Sequence, residues 1–295
     1  MAIRGLALNN EIRVYGINST AIIRKAQKKH QSTPCASAAL GRVLSIVALM
    51  GMMSNEQKQI ISTINGNGPL GAIHAHYQAN HTIRGYVDNP QVAIKINEHH
   101  KLGIKEVVGS EGTLSVMINY DLKQDYYGMT NLISGEISED YAYYFASSEQ
   151  IPSVVSAGVL VDKDGSIISS GALILQLLPN ASEKTINYLE NCLPKINNLS
   201  KTLQNDPQIS HLIKSIFDDF IPLDEVAIKF NCPCTKDDMY AKIMTLSIED
   251  LLEIKEEDHG MEVICPWCST KYHFNEKDLT QLIKTKVNHQ KNDQQ

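Results

Sequence analysis

Four of the six cysteines in this chain cluster near its C-terminal end, as Cys232-Pro233-Cys234 and Cys265-Pro266-Trp267-Cys268. Two close pairs separated by roughly thirty residues have the layout of a four-thiolate zinc site. Each pair forms one knuckle, and the segment between folds back to bring the knuckles together. Cys232, Cys234, Cys265 and Cys268 are therefore the expected ligands of one zinc ion per chain in the reduced state. Thiolates stay oxidisable, and each pair is near enough in sequence to close a disulfide once the metal is lost. The first knuckle is C-x-C, tighter than the usual C-x-x-C, which favours a site that also works as a switch. A metal-free dithiol pair and four unrelated buried cysteines are the competing readings. Cys35 and Cys192 sit among apolar helix residues without close partners and read as buried small hydrophobes.

Other chemistry-bearing patterns are weaker. Gly66-Asn67-Gly68-Pro69-Leu70-Gly71 matches the dinucleotide fingerprint letter for letter, but a strand rather than a helix follows it. No helix N-terminus would receive a pyrophosphate there, so the segment reads as a hairpin turn. His74 and His76 share one face of a strand, with His81 nearby, and a half-exposed sheet face accounts for them better than a metal. His99-His100 reads as loop. No Ser/His/Asp or Cys/His order with an elbow signature occurs, and no carboxylates pair as acid and base. No catalytic residue is assigned, and the chain is not expected to be an enzyme. Glu249, Asp250, Glu253, Glu256, Glu257 and Asp258 read as a solvated helix face; lying between the knuckles, they oppose nucleic-acid binding.

The elements that must hold these residues fall into an α+β arrangement. The 295 residues are 43% hydrophobic and 20% charged, enough for one large core plus a smaller unit. The net charge of −6 argues against phosphate backbones or anionic membranes as main partners. No secretory signal is visible at Met1-Ala2-Ile3-Arg4-Gly5, and the apolar run Val43 to Met53 is too short to span a bilayer. A cytoplasmic chain is expected, and cytosolic cysteines are more often metal ligands or redox sensors than structural disulfides.

Residues 1–178 read as a large sheet-and-helix domain. A helix starts at Ser32-Thr33-Pro34 and runs to Met53. Strands follow at Ile60–Ile64, Gly71–Tyr77, Ile83–Val87 and Leu114–Tyr120, as in an antiparallel meander. Ile137, Tyr141, Tyr144, Phe145 and Ser148 share one side of a helix, and Asp162-Lys163-Asp164-Gly165 joins the strands Val154–Val161 and Ile167–Gln176. Residues 179–231 read as a helical linker, opened by a capping box at Asn180-Ala181-Ser182-Glu183. Two apolar rows follow: Ile186, Leu189, Leu193, Ile196, Leu199 and Leu203, then Ile209, Leu212, Ile213, Ile216, Phe217 and Phe220. Pro194, Pro207 and Pro222 cut this stretch into short helices that persist only while docked. Residues 232–287 form the metal unit, with helices around Asp237–Leu246 and after Ser247, and a strand Met261–Ile264. Residues 288–295 read as a flexible tail.

End to end, the chain resembles the redox-regulated molecular chaperones, the bacterial 33-kDa heat-shock protein family. The residues that carry the likeness are Ala36-Ser37-Ala38-Ala39-Leu40-Gly41-Arg42, Gly66-Asn67-Gly68-Pro69 and Ile83-Arg84-Gly85-Tyr86-Val87. Further along they are Gly135-Glu136 leading to Glu139-Asp140, Ser148-Glu149-Gln150-Ile151-Pro152-Ser153 and Gln176-Leu177-Leu178-Pro179, together with the two cysteine pairs. Ser170-Gly171-Ala172 departs from the family's usual Gly-Gly. The resemblance implies an ATP-independent holdase that keeps unfolding client proteins from aggregating under oxidative stress. It implies that the reduced, zinc-bound form is inactive, and that oxidation joins Cys232–Cys234 and Cys265–Cys268 and releases zinc. Metal unit and linker then unfold, the protein dimerises, and clients pass to ATP-dependent chaperones. Two rival functions remain, a zinc-dependent nucleic-acid module and a thiol oxidoreductase.

Overall fold

The stretch after Thr33-Pro34 is apolar on every side, so a helix formed there has to be covered all round. Pro34 takes the first helical position, where its missing N–H costs nothing. The helix runs Pro34–Met50, and every residue in it but Pro34 and Arg42 is buried. Two sheets cover it. The computed structural model describes residues 1–53, 59–98, 101–119 and 125–292; the His99-His100 loop and Tyr120 lie outside them. Residues Met1–Asn231 form one unit and Cys232–Gln295 another.

In the larger unit the chain runs β1 (Ala2–Ala7), β2 (Ile12–Asn18), α1 (Thr20–His30), α2 (Pro34–Met50), β3 (Gln59–Gly66), β4 (Ile73–Gln78) and β5 (Thr82–Val87). It continues with α3 (Ile104–Val108), β6 (Gly112–Asn119), β7 (Tyr126–Asn131), α4 (Ser138–Ser147), β8 (Ser153–Val161) and β9 (Ile167–Leu177). Last come α5 (Glu183–Asn197), α6 (Leu199–Asn205), α7 (Ile209–Ile216), β10 (Ile221–Val226) and β11 (Lys229–Phe230). One sheet is five-stranded and antiparallel, in the order β10-β1-β2-β9-β8. The other is six-stranded, in the order β11-β5-β4-β3-β6-β7, with β11 alone parallel to its neighbour. Helix α2 packs on β8 and β9 of the first sheet and on β4 and β5 of the second. The meander expected from the sequence holds only for β3 to β5; β6 returns to the free edge of β3, with Ile60 opposite Ile118. Among the described residues no helix is long and apolar enough to cross a membrane.

Several motifs of the first domain are structural fasteners. Arg42 donates to the Glu136 carbonyl (3.0 Å) and carboxylate (2.9 Å), tying α2 to the turn before α4. In that turn Ile137 sits at φ +70°, and the fully buried Asp140 carboxylate accepts the N–H groups of Ile133, Ser134 and Ile137 at 2.8–3.0 Å. The Gly66–Leu70 segment is the β3–β4 connection. Its Gly68 and Leu70 N–H groups donate to the Val108 and Val107 carbonyls at 2.9 and 3.0 Å. A Cβ on Gly66 or Gly68 would lie 2.1 or 2.3 Å from those same carbonyl oxygens, so these glycines serve close backbone approach, not a nucleotide.

Helices α5 to α7 lie on the other face of the five-stranded sheet. Leu189, Cys192, Ile196, Leu199, Leu203, Leu212, Ile213 and Phe217 are buried there with Ile3, Ile12, Val14, Leu173 and Leu175. Two members of the expected row lie on its exposed flank, Ile186 at 38% and Leu193 at 36% accessibility. Pro194 does not cut the helix: it lies inside α5, where packing of Cys192 and Ile196 carries the helix past it to Asn197. The helix start also differs from expectation. Ser182 is the N-cap and accepts from the Thr185 N–H. The carboxylate comes not from Glu183 but from Glu11, in the β1–β2 turn, which accepts from the Ser182 N–H (2.9 Å), the Ser182 hydroxyl (2.8 Å) and the Thr185 hydroxyl. Asp219, just past α7, returns to that turn and accepts the Leu8 and Asn9 N–H groups at 3.0 and 2.7 Å.

The smaller unit contains α8 (Lys236–Ile243), α9 (Ile248–Glu257), β12 (Gly260–Ile264), β13 (Lys271–Asn275) and α10 (Glu276–Asn292). Thr235 and Ser247 open α8 and α9 with reciprocal capping boxes to Asp238 and Asp250. β12 and β13 pair as an antiparallel hairpin. α10 carries helix from Glu276 through Asn288 to Asn292, into the segment expected to be a tail.

Hydrogen bonds from Thr185 and Ser182 hold the Glu11 carboxyl below its usual range. A group with a depressed folded pKa contributes stability above its unfolded pKa and loses it as pH falls through the folded one. Amide exchange in the first turn of α5 should therefore quicken as pH drops below the ordinary glutamate value. Glu11→Gln should show fast exchange there at neutral pH and lose that acid dependence. An unchanged exchange profile in the variant would show that the Glu11 clasp does not hold the start of α5.

Candidate metal centre

The first cysteine knuckle opens the smaller unit and the second lies midway along it. Cys232 and Cys234 precede α8, whose capping box turns the chain sharply after Thr235. Cys265 and Cys268 follow β12 in a tight turn: the Ser269 N–H donates to the Cys265 carbonyl (2.8 Å), and the Cys265 N–H to the Thr270 carbonyl (2.9 Å). Cys232 Sγ lies 3.9 Å from Cys265 Sγ, and Cys234 Sγ 3.4 Å from Cys268 Sγ. All four sulfurs fall within 4.8 Å of one another. Four thiolates around a tetrahedral zinc at about 2.3 Å would stand about 3.8 Å apart. The donor set and its spacing fit a thiophilic divalent ion.

The electrostatics of the thiols point the same way. Burial pushes the Cys265 thiol well up, and the neighbouring Cys232 adds to the shift. Burial also raises Cys234. Cys268 is lowered to about 7: burial opposes ionisation, but hydrogen bonds with the Thr270 hydroxyl and N–H and with Cys234 and Cys232 together outweigh it. A bound cation would reduce the repulsion among the sulfurs and favour the thiolate form at all four.

A family model for the Hsp33 protein matches residues 1–275. A 33 kDa chaperonin of Oceanobacillus iheyensis is 40% identical over 282 residues, covering 95% of this chain and 98% of that protein. One from Bacillus cytotoxicus is 36% identical, with 96% and 98% covered. Among solved structures, the crystal structure of the 33 kDa chaperonin from Thermotoga maritima superposes with a TM-score of 0.90 at 31% identity, covering 97% of this chain and 98% of that one. The chain belongs to the Hsp33 family. It is a member of a chaperone family, and its α+β fold matches that of the Thermotoga Hsp33 homologue.

The other candidates from the sequence disperse. His74 stacks on Tyr86 at 4.6 Å and pairs with Asp88 at 3.6 Å. His76 bonds Gln59 (3.1 Å) and receives Arg84 Nε (3.2 Å); burial first and Arg84 second push it down to about 4. His81 Nδ1 meets the Tyr77 hydroxyl at 2.7 Å. Among the described residues only the four cysteines converge on a possible ion. Cys35 and Cys192 are buried in the larger unit and take no part in that cluster. The acidic residues of α9 are exposed. Sequence reasoning missed Thr270 and Tyr272, whose hydroxyls lie 3.2 Å from Cys268 Sγ and from Cys234 Sγ respectively. Their i, i+2 spacing directly after the second knuckle was the available signal.

Metal binding should compete with protons, because raised thiols such as Cys265 must give theirs up. Affinity measured against a chromophoric chelator should rise between about pH 6 and 8. Cys265→Ser should weaken it by more than tenfold, roughly the scale of losing one anionic ligand. Affinity that stays flat with pH would contradict these protonation states of the four thiols.

Proposed function

We propose that this chain is a redox-regulated, ATP-independent holdase. Reduced, it holds one zinc at Cys232, Cys234, Cys265 and Cys268 and is inactive; oxidation releases the metal and activates it. The observation that carries this reading is the place of the thiols inside their unit. The smaller unit's buried cluster consists of Met239, Ile243, Leu251, Phe274, Leu279, Leu282 and two of the thiols themselves, Cys265 and Cys268. A core of that size supplies about 3–5 kcal/mol, whereas a structural zinc site contributes roughly 10–16 kcal/mol of apparent binding energy. Loss of the metal therefore amounts to loss of the fold.

Bound zinc would keep the four thiolates ionised and open to attack on peroxide or hypochlorous acid at neutral pH. Oxidation of one pair leaves two ligands, too few to retain the ion. Cys232–Cys234 and Cys265–Cys268 are the proposed disulfides. The two cysteines of each pair are close enough in sequence to close a disulfide. The chain then loosens backward from Cys232 through the two-residue β11 and the exposed strand β10 toward α5–α7. Those helices, within the 179–231 linker, are short and hold only by docking. Their release uncovers Leu199, Leu203, Ile213 and Phe217 together with the sheet face they cover. Each large apolar side chain exposed forgoes about 1.5–3 kcal/mol of burial, which an unfolding client can restore. Dimerisation of the oxidised form and hand-over of clients to ATP-dependent chaperones complete the cycle, in the cytoplasm.

Reduced, zinc-loaded protein should fail to suppress aggregation of a heat-unfolded client. Peroxide-treated, zinc-free protein should suppress it without nucleotide, and reductant with zinc should reverse the change. Equal protection by both forms, or protection only with ATP, would rule the reading out. Ile213 is fully buried between α7 and the sheet. Ile213→Asp should cost docking roughly 3 kcal/mol or more and give the reduced protein partial holdase activity and raised hydrophobic-dye binding. A reduced variant as inactive and dye-silent as the parent would make the helices a plain connector.

A further inference from the structure

The strand that leaves the second knuckle presents one hydroxyl to each knuckle. Thr270 and Tyr272 are two residues apart, so they share a face of the extended chain, while Lys271 between them turns away to Glu262 at 2.9 Å. The hairpin register fixes that face, with Lys271 opposite Ile264 and Tyr272 opposite Val263. Thr270 Oγ1 stands 3.2 Å from Cys268 Sγ, and its carbonyl receives the Cys265 N–H at 2.9 Å, so this residue braces the C-x-x-C knuckle at both ends. The Tyr272 hydroxyl crosses to the other knuckle. Its O–H proton is within donating reach of both the Cys234 carbonyl, at 2.7 Å, and Cys234 Sγ, at 3.2 Å.

We propose that Thr270 and Tyr272 are positioning residues of the thiol centre, one per knuckle, and that they set which cysteine pair is oxidised first. The inference rests on the reading that these thiols are the redox-active groups. A hydrogen bond donated to a thiolate draws charge from sulfur and fixes its direction, making it a weaker nucleophile and a better-held ligand. In the oxidation, one thiolate attacks a peroxide oxygen, the O–O bond breaks, and hydroxide leaves a sulfenic acid. The second thiolate attacks that sulfur, the S–S bond forms and a second hydroxide departs. Two electrons pass from the thiolates to peroxide, and two protons from solvent turn the hydroxides into water. Both attacks are by thiolate sulfur, so each hydroxyl restrains its own pair.

The test uses the full-length, zinc-loaded chain with Tyr272→Phe, Thr270→Val and Thr270→Ser. Zinc affinity, by chelator competition, should fall about 10-fold in the first two variants and stay near the parent in Thr270→Ser. Substoichiometric peroxide followed by alkylation and mass spectrometry then reads the oxidation of the two pairs in one molecule. Tyr272→Phe should shift their ratio about 2- to 10-fold toward Cys232–Cys234, and Thr270→Val by a similar factor toward Cys265–Cys268. Because the readout is a ratio, a general loosening of the unit cancels. Ratios that do not move, or that move the same way in both variants, would overturn the proposal. Neither measurement involves client protection, so a failure of the holdase reading would show separately.

Discussion

On the reading proposed above, the smaller unit depends on bonds between its four clustered sulfur atoms and a cation. Its segments are well specified locally, with two capping boxes and a paired hairpin, yet these features bring only a handful of large side chains together. Two of the sulfurs are themselves part of that core. Burial disfavours thiolates there, and a divalent charge reverses the preference. The sulfurs that would bind the metal are thus also oxidisable atoms, so on the proposed reading the unit's fold is conditional on their state.

The larger unit is built differently. Helix α2, covered on both sides, and the two sheets around it form a core that owes nothing to metal. The five-stranded sheet has a second apolar face, which the same chain covers with α5 to α7. Short helices, one containing a proline, are joined to the sheet by packing and fastened at both ends by carboxylates to the β1–β2 turn. Such a cover holds by docking on the sheet rather than by the stability of its separate helices.

The chemistry was more readable in the sequence than the architecture. Two cysteine pairs can be recognised by spacing alone, and the geometry brings all four sulfurs together. Strands with clean alternation, such as β3 to β6, were equally plain. The first thirty residues carried less signal: β1 and β2 contain interior glycines, and α1 buries only Ile22, Ile23, Ala26 and His30. β10, with Pro222 and almost every side chain exposed, exists because β1 offers it an edge. Glu11 capping a helix far along the chain, and Tyr272 reaching Cys234, are long-range pairings that no local pattern encodes.

The most direct test of the account is hydrogen exchange on the reduced protein before and after removal of its metal by a chelator, without any oxidant. The amides of α8, α9, α10 and the β12–β13 hairpin should lose protection together, while those of α2 and β3 to β6 keep theirs. Full protection in the smaller unit after the metal is gone would contradict the claim that its fold depends on the four-sulfur centre.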